Sequence, residues 1–210
     1  MNKQAKKGFT IIEVVLVLAI AGLIFLMVFI ALPALQRSQR NTRRRQDMAR
    51  ILSALNDYQA NNNGQMPCQT PFDGNRCLSE TKQLPNFIER YVVGEKLATS
   101  TRGNTAVALD ENGNCYESFC DPDGSTYAMT AFTWNEGGKT DEKGNTYFEW
   151  VQNDPKKYYE TAQNRKEIML ALSAKCDEEN EGRILRTKGK SEVAIMFILE
   201  GGAVYCGDNQ

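Results

Sequence analysis

Histidine is absent from the 210-residue chain. That excludes Ser-His-Asp and Cys-His catalysis and every imidazole-ligated metal site. Carboxylate, lysine and tyrosine chemistry stay open, but the composition favours a non-enzyme, and nothing in it asks for a cofactor. The six cysteines form no C-x-x-C, so zinc ribbons and thioredoxin-like redox centres are poorly supported. No small-residue cleavage site of the A-x-A kind follows the N-terminal apolar run, Ala31-Leu32-Pro33-Ala34 being a poor one, which argues against an ordinary secretory signal. Internal repeats and low-complexity tracts are missing as well.

What is present begins at Lys6-Lys7-Gly8-Phe9-Thr10-Ile11-Ile12-Glu13, followed by 22 apolar residues from Val14 to Leu35. At ~1.5 Å per residue that run can cross a bilayer core of roughly 30 Å. Its one ionisable side chain, Glu13, stands at the front edge. An acid there costs about 2.5–3.5 kcal/mol if drawn to the bilayer centre, and intramembrane charges read first as functional sites. Cutting after Gly8 would remove Lys3, Lys6 and Lys7 and keep the apolar segment. Phe9 would then open the chain with its amine within one helical turn of Glu13. Between neighbouring chains that amine and carboxylate could pair, and in low dielectric such a pair sets register more than affinity. A plain signal anchor is the alternative.

The net charge of −1 hides an asymmetry. Arg37, Arg40, Arg43, Arg44 and Arg45 follow the run, whereas residues 51–210 carry −8, from 16 basic and 24 acidic side chains. A basic stem thus joins an acidic head, which is not the bulk charge of a nucleic-acid-binding domain.

The periodicity predicts one helix from Phe9 to about Asn62, with a break expected at Gly22 and Pro33. Met48, Ile51, Leu52, Leu55 and Tyr58 form an amphipathic stripe, and Gly64 suits a left-handed cap. Residues 65–80 read as a loop pinched by Cys68 and Cys77. A short helix is expected over Leu84–Val93, then mostly loop over Thr99–Asn114 with a brief strand at 106–109. Strands are expected at Thr126–Trp134 and Tyr147–Val151, and a helix from Asp154-Pro155. Ile168–Ala174 suits a helix by composition but alternates as a strand would, and strand is preferred. Glu192–Leu199, Gly201-Gly202 and Ala203–Cys206 read as a β-hairpin. Tyr127, Trp134, Tyr147, Trp150, Tyr158 and Tyr159 read mainly as strand packing. All cysteines lie beyond the apolar run, which suits disulfides in an oxidising compartment. Of the 15 pairings that six cysteines allow, sequence neighbours are the simplest: Cys68–Cys77, Cys115–Cys120 and, most strongly, Cys176–Cys206. The fold expected is α+β, a long helix (9–62) packed by its C-terminal half on a head of antiparallel strands.

Lys7-Gly8-Phe9-Thr10-Ile11-Ile12-Glu13 resembles the class III signal of type IV pilins and type II secretion pseudopilins. The resemblance implies a membrane peptidase that cuts after Gly8 and methylates Phe9, and assembly through Phe9 of one chain and Glu13 of another. Tyr58 followed by Asn62-Asn63-Gly64-Gln65-Met66-Pro67 also resembles the end of the first helix in that family, while Pro33 falls a few residues later than the family's proline. The resemblance covers residues 1–67; beyond them the strands, the hairpin and the Cys176/Cys206 pair match in plan. It implies a leader over 1–8, a membrane and filament-core helix over 9–35, an amphipathic continuation over 36–63 and a pilin-like, ladle-shaped layout with a disulfide-bonded head over 64–210.

The function so implied is a pilus subunit, a single-pass precursor in the cytoplasmic membrane that becomes extracellular on assembly. Its partners would be copies of itself, the prepilin peptidase, the assembly machinery and the surfaces of host or neighbouring cells, in adhesion, twitching motility or DNA uptake. The runner-up is a pseudopilin of a type II secretion or competence machine. From another class, the rival is a non-polymerising single-span binding domain. The Arg37–Arg45 cluster reads first as a solvated stem meeting lipid headgroups and neighbouring acidic heads, with DNA as the alternative ligand. Asp110, Asn112, Asn114, Asp121 and Asp123 resemble fragments of calcium loops, but Cys115 stands where the pattern needs glycine, and Asp/Asn/Gly turns explain them more simply.

Overall fold

The structure, a computed structural model, describes residues 8, 10–67, 83–97, 99–102, 105–132, 134, 138–149, 166–189 and 191–210. Phe9, Cys68, Cys77, Trp150, Tyr158, Tyr159 and the helix expected from Asp154 lie outside them.

Helix α1 spans Ile11–Asn61. The helix is not melted at Gly22 or Pro33: both sit inside the one continuous helix. A proline removes one donor from the ladder, and the bonds before and after it can hold the helix together. Gly64, at φ +76°, ends the helix region as its αL cap, its N–H donating to the Gln59 carbonyl at 2.9 Å.

The chain forms two compact units, divided within α1 between Arg40 and Asn41. In the first, every large apolar side chain from Ile11 to Leu35 is exposed.

The second unit has three layers. The outer layer is the last part of α1, from Asn41 onward. The middle layer is a six-stranded sheet in the order β1-β2-β3-β6-β9-β10, where β1 is Thr99–Arg102, β2 Thr105–Leu109, β3 Tyr127–Phe132, β6 Lys166–Leu172, β9 Val193–Ile198 and β10 Val204–Asp208. The third layer is a four-stranded antiparallel sheet, β4-β5-β8-β7, built from Lys139–Thr140, Thr146–Glu149, Arg183–Arg186 and Ala174–Cys176. The expectation of purely antiparallel strands needs correction, because β3 and β6 run parallel, Met129 opposite Ile168 and Ala131 opposite Leu170.

The middle sheet is buried on both faces. Ile168, Leu170 and Leu172, opposite Phe197, Ile195 and Val193, join Met48, Ile51, Leu52 and Leu55 of α1 in one core. The alternate residues Met169, Ala171, Ala194 and Met196 join Phe132, Trp134 and Ile184 in a second core between the sheets. Two-sided burial is why these strands are apolar almost without interruption. The β9–β10 hairpin turns through Gly201 and Gly202, both at positive φ. Close approach of α1 to the sheet is served by Gly207 of β10, where a Cβ would stand 2.8 Å from Leu52 Cδ1.

Between β6 and β7 the chain changes sheets within one residue. Ser173 makes that corner at φ 52°, its N–H bonded to the Glu192 carbonyl and its carbonyl to the Thr187 N–H. Cys176 and Cys206 are disulfide-bonded and tie the two sheets; Cys115 and Cys120 form a second disulfide in the β2–β3 connection. The short helix expected near Leu84 is present as α2, Gln83–Phe87, continued by a π-turn over Ile88–Val93. Strand β1 falls in a stretch read as loop.

Candidate functional site

Gly8 is exposed, and a Cβ added to it would meet nothing within 4 Å. Two residues on, Thr10 begins α1 in a capping box. Its N–H and its hydroxyl both donate to Glu13 Oε2 at 2.8 Å, and its Oγ1 accepts the Glu13 N–H at 3.4 Å. The acid at the edge of the apolar run is thus held over the helix N-terminus, where the macrodipole also favours negative charge. Thr10 was not singled out from sequence, although T-x-x-E before an apolar run is the signature of that motif. The helix behind it is long and apolar enough to cross a membrane.

Residues 3–29 match the family model described as the prokaryotic N-terminal methylation motif. That motif is the class III signal peptide of type IV pilins. The chain carries a prepilin signal. No match was found among curated proteins or among solved structures. The motif supports a precursor of the type IV pilin or pseudopilin type, a structural subunit processed by prepilin peptidase, and with the apolar helix it fits a membrane-anchored form.

Behind the prepilin signal, the arginine cluster is not uniformly solvated. Arg43 and Arg45 are exposed, but Arg44 is buried. Arg44 Nε donates to Asp121 Oδ2 at 2.6 Å and Nη2 to Asp121 Oδ1 at 2.8 Å, a bidentate pair with the two side chains 1% and 0% exposed. Nη2 also lies 2.9 Å from Glu200 Oε1, and Nη1 donates to Asn41 Oδ1 at 3.2 Å. Asn41 in turn brackets the β9–β10 turn, its Nδ2 donating to the Glu200 carbonyl at 3.1 Å and its Oδ1 accepting the Glu200 N–H at 2.9 Å. One turn further along, Asp47 Oδ2 accepts the Tyr127 hydroxyl at 2.9 Å. Burial raises the Asp47 carboxyl above its ordinary value, and burial beside that acid raises the Tyr127 hydroxyl well above its own.

The sequence signal for this anchor is the helix stripe itself. Counting back from Leu55, Ile51 and Met48 at steps of four and three reaches Arg44 and Asn41, so both face the head. The reading of all five arginines as a solvated stem is corrected at Arg44.

The calcium candidates are spent on turns. Asp110 Oδ1 accepts the N–H groups of Asn112 at 2.9 Å and Asn114 at 2.8 Å, and these bonds, led by that of Asn114, hold its carboxyl below the ordinary value. Asp141 repeats the arrangement with Lys143 and Asn145. Asp121 serves Arg44. Burial pushes the Asp123 carboxyl up, but hydrogen bonds from Ser125, with Lys166 Nζ at 3.3 Å, outweigh that and hold it well below the carboxylate range. Asp110-x-x-Gly113-Asn114, Asp121-x-x-Gly124-Ser125 and Asp141-x-x-Gly144-Asn145 are one turn used three times, each with its glycine at positive φ. Among the described residues, no three acidic or cysteine side chains gather as a metal would require.

Proposed function

We propose that the chain is a structural subunit of a type IV pilus, polymerising through α1, and that the alternative within the same architecture is a pseudopilin. Residues 1–8 are the leader, removed after Gly8 with methylation of Phe9; residues 9–35 form the core of the filament, and 36–63 carry the head of 64–210 on it. The observation that carries this reading is the prepilin signal running directly into an apolar helix whose large side chains, from Ile11 to Leu35, are exposed. A 22-residue apolar surface needs a bilayer or other copies around it.

In assembly, the amine of Phe9 meets Glu13 of a neighbouring chain. The capping box presents that carboxylate at the helix tip and keeps it occupied by Thr10 until a stronger, charged donor replaces the hydroxyl. The precursor resides in the cytoplasmic membrane and the assembled subunit outside it, on fibres that contact host or neighbouring cells.

Mass analysis of the N-terminus in sheared extracellular material tests the reading. A chain starting at methylated Phe9 in long fibres is expected. Rods confined to the envelope would select the pseudopilin, and an intact Met1 N-terminus would sink both in favour of a membrane-anchored binding domain.

A further inference from the structure

The β2–β3 connection holds two of the Asp-Gly turns back to back. Leu109 bridges Cys115 around the first, and Cys120 bridges Thr126 around the second. The Cys115–Cys120 disulfide, Cα atoms 5.4 Å apart, joins the feet of both turns. Inside its ring, the short 3-10 turn Glu117–Phe119 places Phe119, fully buried, in the core shared with Met48, Ile51 and Leu55. The Phe119 ring stands 5.8 Å from that of Tyr127. The Ser118 carbonyl accepts a hydrogen bond from Arg50 Nη2. The residue immediately after the ring is Asp121, the bidentate partner of Arg44. Three attachments of α1 to the head therefore pass through seven consecutive residues, 115–121. Apart from two isolated bridges those residues belong to no strand ladder, and the disulfide closes them into a ring.

We propose that Cys115–Cys120 is a redox latch on the docking of α1 residues 41–61. Closed, it favours the conformation that aims Phe119 inward and Asp121 at Arg44; open, the segment between the two turns gains conformational freedom. Opening is ordinary thiol–disulfide exchange with a dithiol. A thiolate of the reductant attacks one sulfur and the other leaves as thiolate. The reductant's second thiol then resolves the mixed disulfide, so that the dithiol is oxidised and the cysteine pair takes up two electrons and two protons. Both cysteines are only half-buried, so the bond is open to attack. The sheets do not depend on it: the ladders of β6, β9 and β10 and the Cys176–Cys206 staple lie elsewhere. Docking of the helix is thereby conditional on an oxidising compartment while the sandwich is not. The inference rests on the fold alone and holds whether or not the chain forms filaments.

Amide hydrogen exchange on the full-length chain in detergent micelles tests it, since local opening is read segment by segment. In C115S/C120S, amides 44–55 should exchange at least tenfold faster than in the oxidised wild type, with amides 193–198 within twofold. Asp121→Asn, with both disulfides intact, should likewise accelerate amides 44–55 more than amides 193–198. Titrating the wild type with dithiothreitol and alkylating should show that acceleration at 44–55 follows loss of Cys115–Cys120 rather than of Cys176–Cys206. Unchanged exchange at 44–55 in either variant overturns the latch. Uniform acceleration through β6 and β9 overturns it too, because the bond would then be a general staple.

Discussion

Arg44 stands beside Arg43 and Arg45, which face solvent, and the stripe it shares with Met48, Ile51 and Leu55 distinguishes it from them. Its charge is buried against Asp121 and Glu200. Removing one partner of such a pair leaves the other uncompensated, so Arg44→Ala should cost about 3–5 kcal/mol of stability by chemical denaturation. R44M combined with D121L should recover most of that loss, because well-packed apolar side chains commonly match a buried ion pair. A double variant as unstable as the single one would show that the pair does more than fill the site. Asp123 gives a pH signature. Its folded carboxyl lies below the ordinary value of about 3.9. As pH falls past that value the unfolded chain takes up its proton first, so this contribution is present at neutral pH and is lost in acid. Asp123→Asn should therefore flatten the decline of thermal stability below pH ~4, as followed by circular dichroism; an unchanged slope would contradict the assignment. Ser173 lies in the left-handed region, which costs an L-residue roughly 1–2 kcal/mol and a β-branched one more. Ser173→Gly should then equal or exceed the wild type in stability, and Ser173→Val should fall below it.

At the level of elements, what could be read from sequence was what pairs locally. The β9–β10 hairpin announced itself through Gly201-Gly202 between two apolar runs, and the cap of α1 through Asn63-Gly64. Ile168–Leu172 was ambiguous for a physical reason: a strand buried on both faces loses the alternation that distinguishes it from a buried helix. Strand β1, Thr99-Ser-Thr-Arg102, was missed because a polar edge strand has no apolar pattern to show. The parallel pairing of β3 with β6 was out of reach, since parallel partners are never joined by a readable tight turn. At the functional site Gly8 and Glu13 were legible as a motif, whereas Arg44 was hidden by its neighbours and Thr10 by its lack of charge beside Glu13. Of the two disulfides, Cys176–Cys206 closes a separation of 30 residues and spans the sheets. On loop-entropy grounds it contributes about 3–4 kcal/mol. C176A/C206A should lower the denaturation midpoint of the whole head accordingly, with all strands exchanging faster together. A loss restricted to β7 and β10 would mean that the sheets hold together without it.

For the whole molecule the question is what the remaining arginines do. Replacing Arg43, Arg44 and Arg45 together would confound assembly with folding, because Arg44 belongs to the head's interior. The informative change is R43Q/R45Q, which leaves the Asn41–Arg44–Asp121–Glu200 network untouched. Both side chains are exposed, and among the described residues neither forms an ion pair. Surface charges of this kind contribute little to the fold, so the melting temperature should move by no more than a degree or two. Residues 51–210 carry −8, and in the filament proposed above the stem of one copy would lie among the heads of others. Lost attraction between stems and heads should then appear as fewer or more fragile filaments, with the deficit growing less salt-sensitive than in the wild type, since screening has fewer charges to act on. Shearing yield measured across a salt series checks both. Filaments of normal yield and salt response, with DNA retention lost instead, would assign the two arginines to phosphate rather than to neighbouring copies.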